Sequence, residues 1–226
     1  MVAQAAPHVD RRHRRRQETI EEVLDVAAAI MAEQGVGGLS VGEIARRMGI
    51  RPPSLYVYFP SKHALYDALF ARGARLVLAT MEALQASLPV GATLDQQLRI
   101  AGATFVRWSV KHQAYSQLLF WRPVPGFTPS PEAYQPAVQL VEVCQHHFAE
   151  MQRSGLLRAD VAVELMVRDW MIVVSGVISQ QLSNAPDESF EDGTYTAALP
   201  SLVAMFVRQY APPAELTEGT HGADTR

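Results

Sequence analysis

Cysteine is almost absent from this chain, since Cys144 is the only one in 226 residues. No disulfide can close within these residues, and a reducing compartment is the expectation. Cys-x-x-Cys, His-Glu-x-x-His and Gly-rich phosphate loops are also missing, so neither a metal site nor a cofactor is expected. Long apolar runs are scarce. The most apolar late segment, Leu165 to Leu182, is interrupted by Arg168, Asp169, Ser175 and Ser179 and is too polar at its start for a membrane span. The N-terminal arginines are not followed by the apolar run that a secretory signal needs. A soluble cytoplasmic protein with no membrane partner is the expectation.

A catalytic centre is not expected either. Cys144 and His147 stand three apart on one helical pattern, and adjacent His146 and His147 point about 100° from each other. No orienting carboxylate or oxyanion site accompanies them, so Cys144 reads as core and no residue as catalytic.

Charge is present but unevenly spread. The net formal charge is -3, yet residues 1–75 hold 11 Lys or Arg against 8 Asp or Glu, and residues 76–226 hold 9 against 15. A basic head on an acidic body suits nucleic acid at one end. Residues 1–16 end in RRHRRR and read as a disordered basic arm that could lie along phosphates. Residues 17–34 read as a helix, with Ile20, Leu24, Ala27 and Met31 on one face, stopped by Gly35.

The stretch from Ser40 to Lys62, SVGEIARRMGIRPPSLYVYFPSK, is the most informative. Ser40 and Glu43 have capping-box spacing, and Ile44, Ala45 and Met48 form an apolar stripe. Gly49 suits a sharp turn, and Pro52 and Pro53 suit the first positions of a second helix. Val41, Ile44, Ala45, Met48, Leu55 and Phe59 read as core. Two tyrosines and a lysine remain on the polar sides of a helix that does not need them to fold. A helix, a tight turn and a hydroxyl-rich second helix form a helix-turn-helix.

The run Leu55-Tyr56-Val57-Tyr58-Phe59-Pro60-Ser61-Lys62 resembles the Leu-Tyr-x-x-Phe-x-x-Lys pattern of the TetR family of bacterial transcriptional repressors. The motif resemblance covers about residues 18–72. It implies that Tyr56 and Lys62, with Ser40 and Tyr58, hold the DNA backbone. Arg51, Pro52, Ser54 and Val57, near the leading face of the second helix, are the candidates for reading bases. Arg46 and Arg47 face solvent or flanking phosphates.

Beyond the motif, Ser61 is placed to cap a long helix running to about Ala86, which in the family joins head to body. Helices are expected over Thr93–Val110, His112–Phe120, Ala133–Gln152, Asp160–Leu182 (capped by Asp160) and Thr196–Tyr210. RPVPGFTPSPE, residues 122–132, has four prolines and a glycine, and reads as a surface loop or a lid beside a cavity. Residues 211–226 read as disordered. The fold class is therefore all-α with about nine helices. A DNA-binding domain at 17–62 precedes a ligand-binding and dimerisation domain at 63–210.

Two features of the body bear on function. The helix from Asp160 is apolar nearly all round beyond Trp170, which predicts burial against a second copy. Met171, Val174, Val177, Ile178, Leu202 and Phe206 are the expected interface, as the family's dimers of paired late helices imply. The aromatic and polar residues Phe105, Trp108, His112, Tyr115, Phe120, Trp121, Phe127, Tyr134, His146 and Trp170 are the expected lining of a pocket for a small apolar or aromatic effector. Together these predict a homodimeric, ligand-responsive repressor on palindromic double-stranded operator DNA. A helical adaptor using the helix-turn-helix for protein contact is the competing reading.

Overall fold

The computed structural model describes residues 7–213. Among them are nine α-helices, two short 3-10 turns and no strand. The helices are α1 (Pro7–Gln34), α2 (Val41–Arg47), α3 (Pro52–Leu55), α4 (Lys62–Ser87), α5 (Leu94–Lys111), α6 (Gln113–Phe120), α7 (Pro131–Arg153), α8 (Val163–Asn184) and α9 (Leu199–Tyr210). No helix among the described residues is long and apolar enough to cross a membrane.

Several helix starts are set by side-chain caps. Ser61 accepts from the Ala64 amide at 3.0 Å at the start of α4. Thr93 and Gln96 form a reciprocal capping box at the start of α5. Ser130 caps α7, and its amide and hydroxyl both donate to the Asp67 carboxylate at 2.7 Å, which ties the proline-rich loop to α4. That segment is a loop against α4 and not a lid, because no residue from 122 to 132 lines the cavity described below.

Three expectations are corrected. The first helix begins at Pro7, so residues 7–16 of the expected disordered arm are helical, while residues 1–6 of it and residues 214–226 of the expected tail lie outside the described residues. Ser40 stands at the start of α2 without a side-chain cap, because Glu43 turns instead to Arg46 and Arg47. Asp160 does not cap α8, whose N-cap is Ala162; its carboxylate is held by Arg158.

Two apolar cores result. One joins α1, α2 and α3 to the first half of α4 and continues into Trp108, Tyr115, Leu118 and Phe127, so head and body share buried residues. The other packs α5, α7, α8 and α9 around Phe148, Trp170, Phe206 and Tyr210, whose successive rings lie 4.6 to 6.4 Å apart. Gly73 allows α4 and α6 to approach, since a Cβ there would stand 2.7 Å from the Tyr115 ring. Buried Gln181 orders the acidic loop before α9: its carbonyl oxygen accepts from the Tyr195 and Thr196 amides, and its amide donates to the Ala185 carbonyl.

Candidate nucleic-acid interface and interior cavity

The α2–α3 turn closes through backbone bonds. The Ile50 amide donates to the Ala45 carbonyl at 3.0 Å and the Gly49 amide to the Arg46 carbonyl at 3.3 Å. This double closure requires a left-handed residue, which Gly49 supplies with φ of 67°. Ile44, Ala45, Leu55 and Phe59 are buried beneath it. The opposite side is open: Ser40, Arg51, Pro52, Ser54, Tyr56, Val57 and Lys62 are exposed and Tyr58 is half-buried. All eight residues expected to meet DNA therefore keep solvent-accessible surface around one helix-turn-helix. Val57 is 72% exposed and Tyr56 51%, an uncommon cost for residues with no packing role.

Arg46 and Arg47 are not open cations. Arg47 pairs with Glu33 of α1 at 2.6 Å and with Glu43 at 2.8 Å, and Arg46 holds Glu43 through two bonds of 2.8 Å. Hydrogen bonds from Arg46 and then Arg47 hold the Glu43 carboxyl down at about 2. This chain of charges fixes α1 against α2. From the basic turns of α1, the Arg16 guanidinium lies 5.6 Å from the Tyr58 ring centre, which brings that run beside α3. Lys62 Nζ stands 5.5 Å from the Tyr66 ring centre with its side chain exposed.

A cavity of about 220 Å³ lies in the body, walled by α4, α5, α6, α7 and α8. Of the ten residues expected around a ligand, Phe105, Phe120, Tyr134 and Trp170 line it. The other six expected residues do not. Trp108 and His112 pair with each other, Tyr115 packs on Gly73, and Phe127 packs on Tyr66. Trp121 stands edge-on to Phe120 at the surface. His146 points outward to Glu150 at 3.3 Å.

The structure adds Phe70, Gln85, Cys144, His147 and Phe148 to the lining. The inward face of α7 runs through Ala137, Leu140, Cys144, His147 and Phe148, so the 3.6-residue period selects His147 and turns His146 to solvent. The polar end of the cavity has an ordered pair, with Gln85 Nε2 3.2 Å from His147 Nδ1. Burial is the main cause that holds the His147 imidazole below its ordinary value, and burial pushes the Cys144 thiol up to about 12. A thiol so held is protonated and not a nucleophile. Among the described residues no group of three or more His, Cys, Asp or Glu could hold a metal ion.

The expected partner-facing set is also redistributed. Val174, Val177, Ile178 and Phe206 are buried within the chain itself, because α8 packs on α5, α7 and α9. Leu202 is half-buried, and Met171 sits at the edge of the cavity. The apolar residues that α8 and α9 leave exposed are Leu165, Met171, Ile172 and Met205.

Residues 23–69 match the family of bacterial regulatory proteins described as the tetR family. Over 49 residues the chain is 41% identical to the tetracycline repressor protein class D of Escherichia coli, a match spanning 22% of this chain and 22% of that one. The chain thus spans about a fifth of the length of that relative. A putative mycofactocin biosynthesis transcriptional regulator of Mycobacterium tuberculosis is 31% identical over 133 residues, covering 52% of this chain and 67% of that one. Among solved structures, the transcriptional regulator FadR from Bacillus subtilis, in complex with stearoyl-CoA, shares the fold. Its TM-score is 0.64 at 16% identity, over 83% of this chain and 97% of that one.

Proposed function

The chain belongs to the tetR family of bacterial regulatory proteins, which makes it a transcriptional regulator, and we propose that it is a ligand-responsive repressor acting on palindromic operator DNA as a homodimer. The observation that carries this reading is the exposed face of the helix-turn-helix. Arg51, Ser54, Tyr56, Val57 and Lys62 stand exposed there over a packed apolar support. Tyr56 and Lys62 donate to phosphates and fix register, with Ser40 and Tyr58 beside them. Arg51 pairs with guanine, Ser54 meets a base edge, and Val57 or Pro52 packs on a thymine methyl. The basic turns of α1 beside Tyr58 add phosphate contacts.

The cavity holds a small apolar or aromatic effector, a reading supported by its apolar walls. Its walls include α4, which begins directly after the helix-turn-helix. Ligand that moves α4 changes the spacing of two recognition helices, and only a conformation with the right spacing fits both half-sites. The second copy docks on the outer face of α8 and α9. Leu165, Ile172 and Gly176 lie along one side of α8, with Met205 exposed on α9.

The test is selection of bound fragments from a random DNA pool by the purified protein. The expected result is a palindrome with half-sites about one helical turn or more apart, bound with affinity that falls steeply with salt. No enrichment at low salt would overturn the reading and assign the helix-turn-helix to a protein partner.

A further inference from the structure

The polar end of the cavity narrows the class of molecule that fits it. Among the described residues lining it, none is Asp, Glu, Lys or Arg. A charged ligand would therefore leave its charge without a counter-ion among apolar walls. Polar side-chain atoms in the lining belong to Gln85, Tyr134, Cys144, His147, Trp170 and Ser175.

The Gln85–His147 pair has a defined polarity. Gln85 Nε2 lies 3.2 Å from His147 Nδ1 and 3.5 Å from a Glu150 carboxylate oxygen. Both neighbours suit a donor, and turning the amide would set its oxygen against the carboxylate. His147 Nδ1 thus accepts, and in the neutral ring the proton sits on Nε2. Burial keeps the ring neutral, with Glu150 opposing and His146 adding to that effect. The Nε2–H is buried and has no partner among the described residues. A buried donor left unmet is costly, and an acceptor brought by a ligand removes that cost.

We propose that the cavity takes an uncharged, largely apolar molecule with a single hydrogen-bond acceptor, and that His147 is the residue that selects it by donating from Nε2. The proposal rests on the effector-binding reading above and specifies its ligand. Size follows from the volume: a dry apolar cavity of ~150 Å³ accepts benzene, so 220 Å³ suits a bicyclic ketone or a compact ester. Cys144, one turn before His147, offers only a protonated thiol and does not compete as a strong donor.

The experiment measures binding of three matched probes to the full chain by calorimetry. They are 1-tetralone (neutral, one acceptor), tetralin (the same frame without the acceptor) and 1-naphthoate (an anion). The wild-type protein is expected to bind tetralone about tenfold more tightly than tetralin, the worth of one neutral hydrogen bond in a dry site, and naphthoate most weakly. His147→Phe removes the tetralone preference and leaves tetralin binding within about twofold, whereas His147→Gln keeps a donor and most of the preference. Equal affinity for tetralone and tetralin, a preference that survives in His147→Phe, strongest binding of naphthoate, or no binding of any probe would each overturn the proposal. DNA retention by the same preparation separates the two readings. Selected DNA held by protein that ignores the probes defeats this inference alone, and a His147-dependent preference in protein that holds no DNA defeats the regulator reading alone.

Discussion

Tyr66 of α4 donates its hydroxyl to the Val36 carbonyl at 2.7 Å, in a buried position between the long helix and the turn that follows α1. The Tyr66 ring also packs on Phe127 at 5.6 Å, and Lys62 lies over it. One side chain thus joins the DNA-facing head, the connecting helix and the proline-rich loop. Tyr66→Phe keeps the packing and strands the carbonyl. A loss of about 1–3 kcal/mol in unfolding free energy is expected by denaturant titration, because a buried acceptor is left unpaired.

Gly73 gives a second test of how α4 is held. A methyl group at this position meets the ring of Tyr115, which is itself buried. Gly73→Ala is therefore expected to destabilise by about 1–3 kcal/mol despite the better helix propensity of alanine. The paired change Gly73→Ala with Tyr115→Leu recovers part of that loss in a double-mutant cycle. Additive losses would show that the two residues do not meet.

At the proposed DNA face, the residues divide by what each is proposed to touch. Lys62→Ala is expected to weaken binding to all sequences alike and to lower the slope of log affinity against log salt by about one unit. Arg51→Ala or Ser54→Ala is expected to relax preference at one position of each half-site, at about 1–3 kcal/mol per lost contact. Fluorescence anisotropy on the selected palindrome and on single-position variants distinguishes the two patterns. An unchanged salt slope for Lys62→Ala would refute the phosphate role.

The head was legible in the sequence because its constraints are local. Gly49 in a turn, prolines at a helix start and the tyrosine-lysine spacing each act within a few residues, and all eight expected contact residues are accessible. The body was legible in its helices but not in its cavity. An aromatic list cannot tell Phe105, which lines the cavity, from Trp108, which packs against His112 four residues later. His146 and His147 differ by a 100° step that only the packing of α7 assigns. The missed caps have a nearer cause: Glu43 found Arg46 and Arg47 in its own helix, and Asp160 found Arg158 two residues before it, so a neighbouring cation outcompeted each cap.

Acid sensitivity follows from two histidines. Burial, with Lys111 adding to it, holds His112 below the ordinary imidazole value of 6.5, and His147 is lowered chiefly by burial. Between each folded value and 6.5 the unfolded chain binds more protons than the folded one, so stability rises with pH across that window. Their contribution is full above pH 6.5 and declines as the pH falls below it. The unfolding midpoint is expected to drop between pH 7.5 and 5.5, and His112→Gln or His147→Gln flattens that slope. Carboxylates such as Glu43, held at about 2, act in a lower window, below their ordinary value of 4.5.

Ile172 tests the second copy. It is 64% exposed on α8, one turn before Gly176 and two turns after exposed Leu165, and a Cβ built at Gly176 meets nothing within 4 Å. A single chain gains nothing by showing this apolar strip to water, and a neighbouring helix could approach it closely. Ile172→Glu places a charge there without touching the internal core, where Val174, Val177 and Ile178 point. Sedimentation is expected to show a dimer for the wild-type protein and a monomer for Ile172→Glu, with the thermal unfolding of the monomer still cooperative. Half-site binding then persists while binding to the full palindrome falls, because two heads no longer share one complex. A variant that stays dimeric would move the interface away from this side of α8.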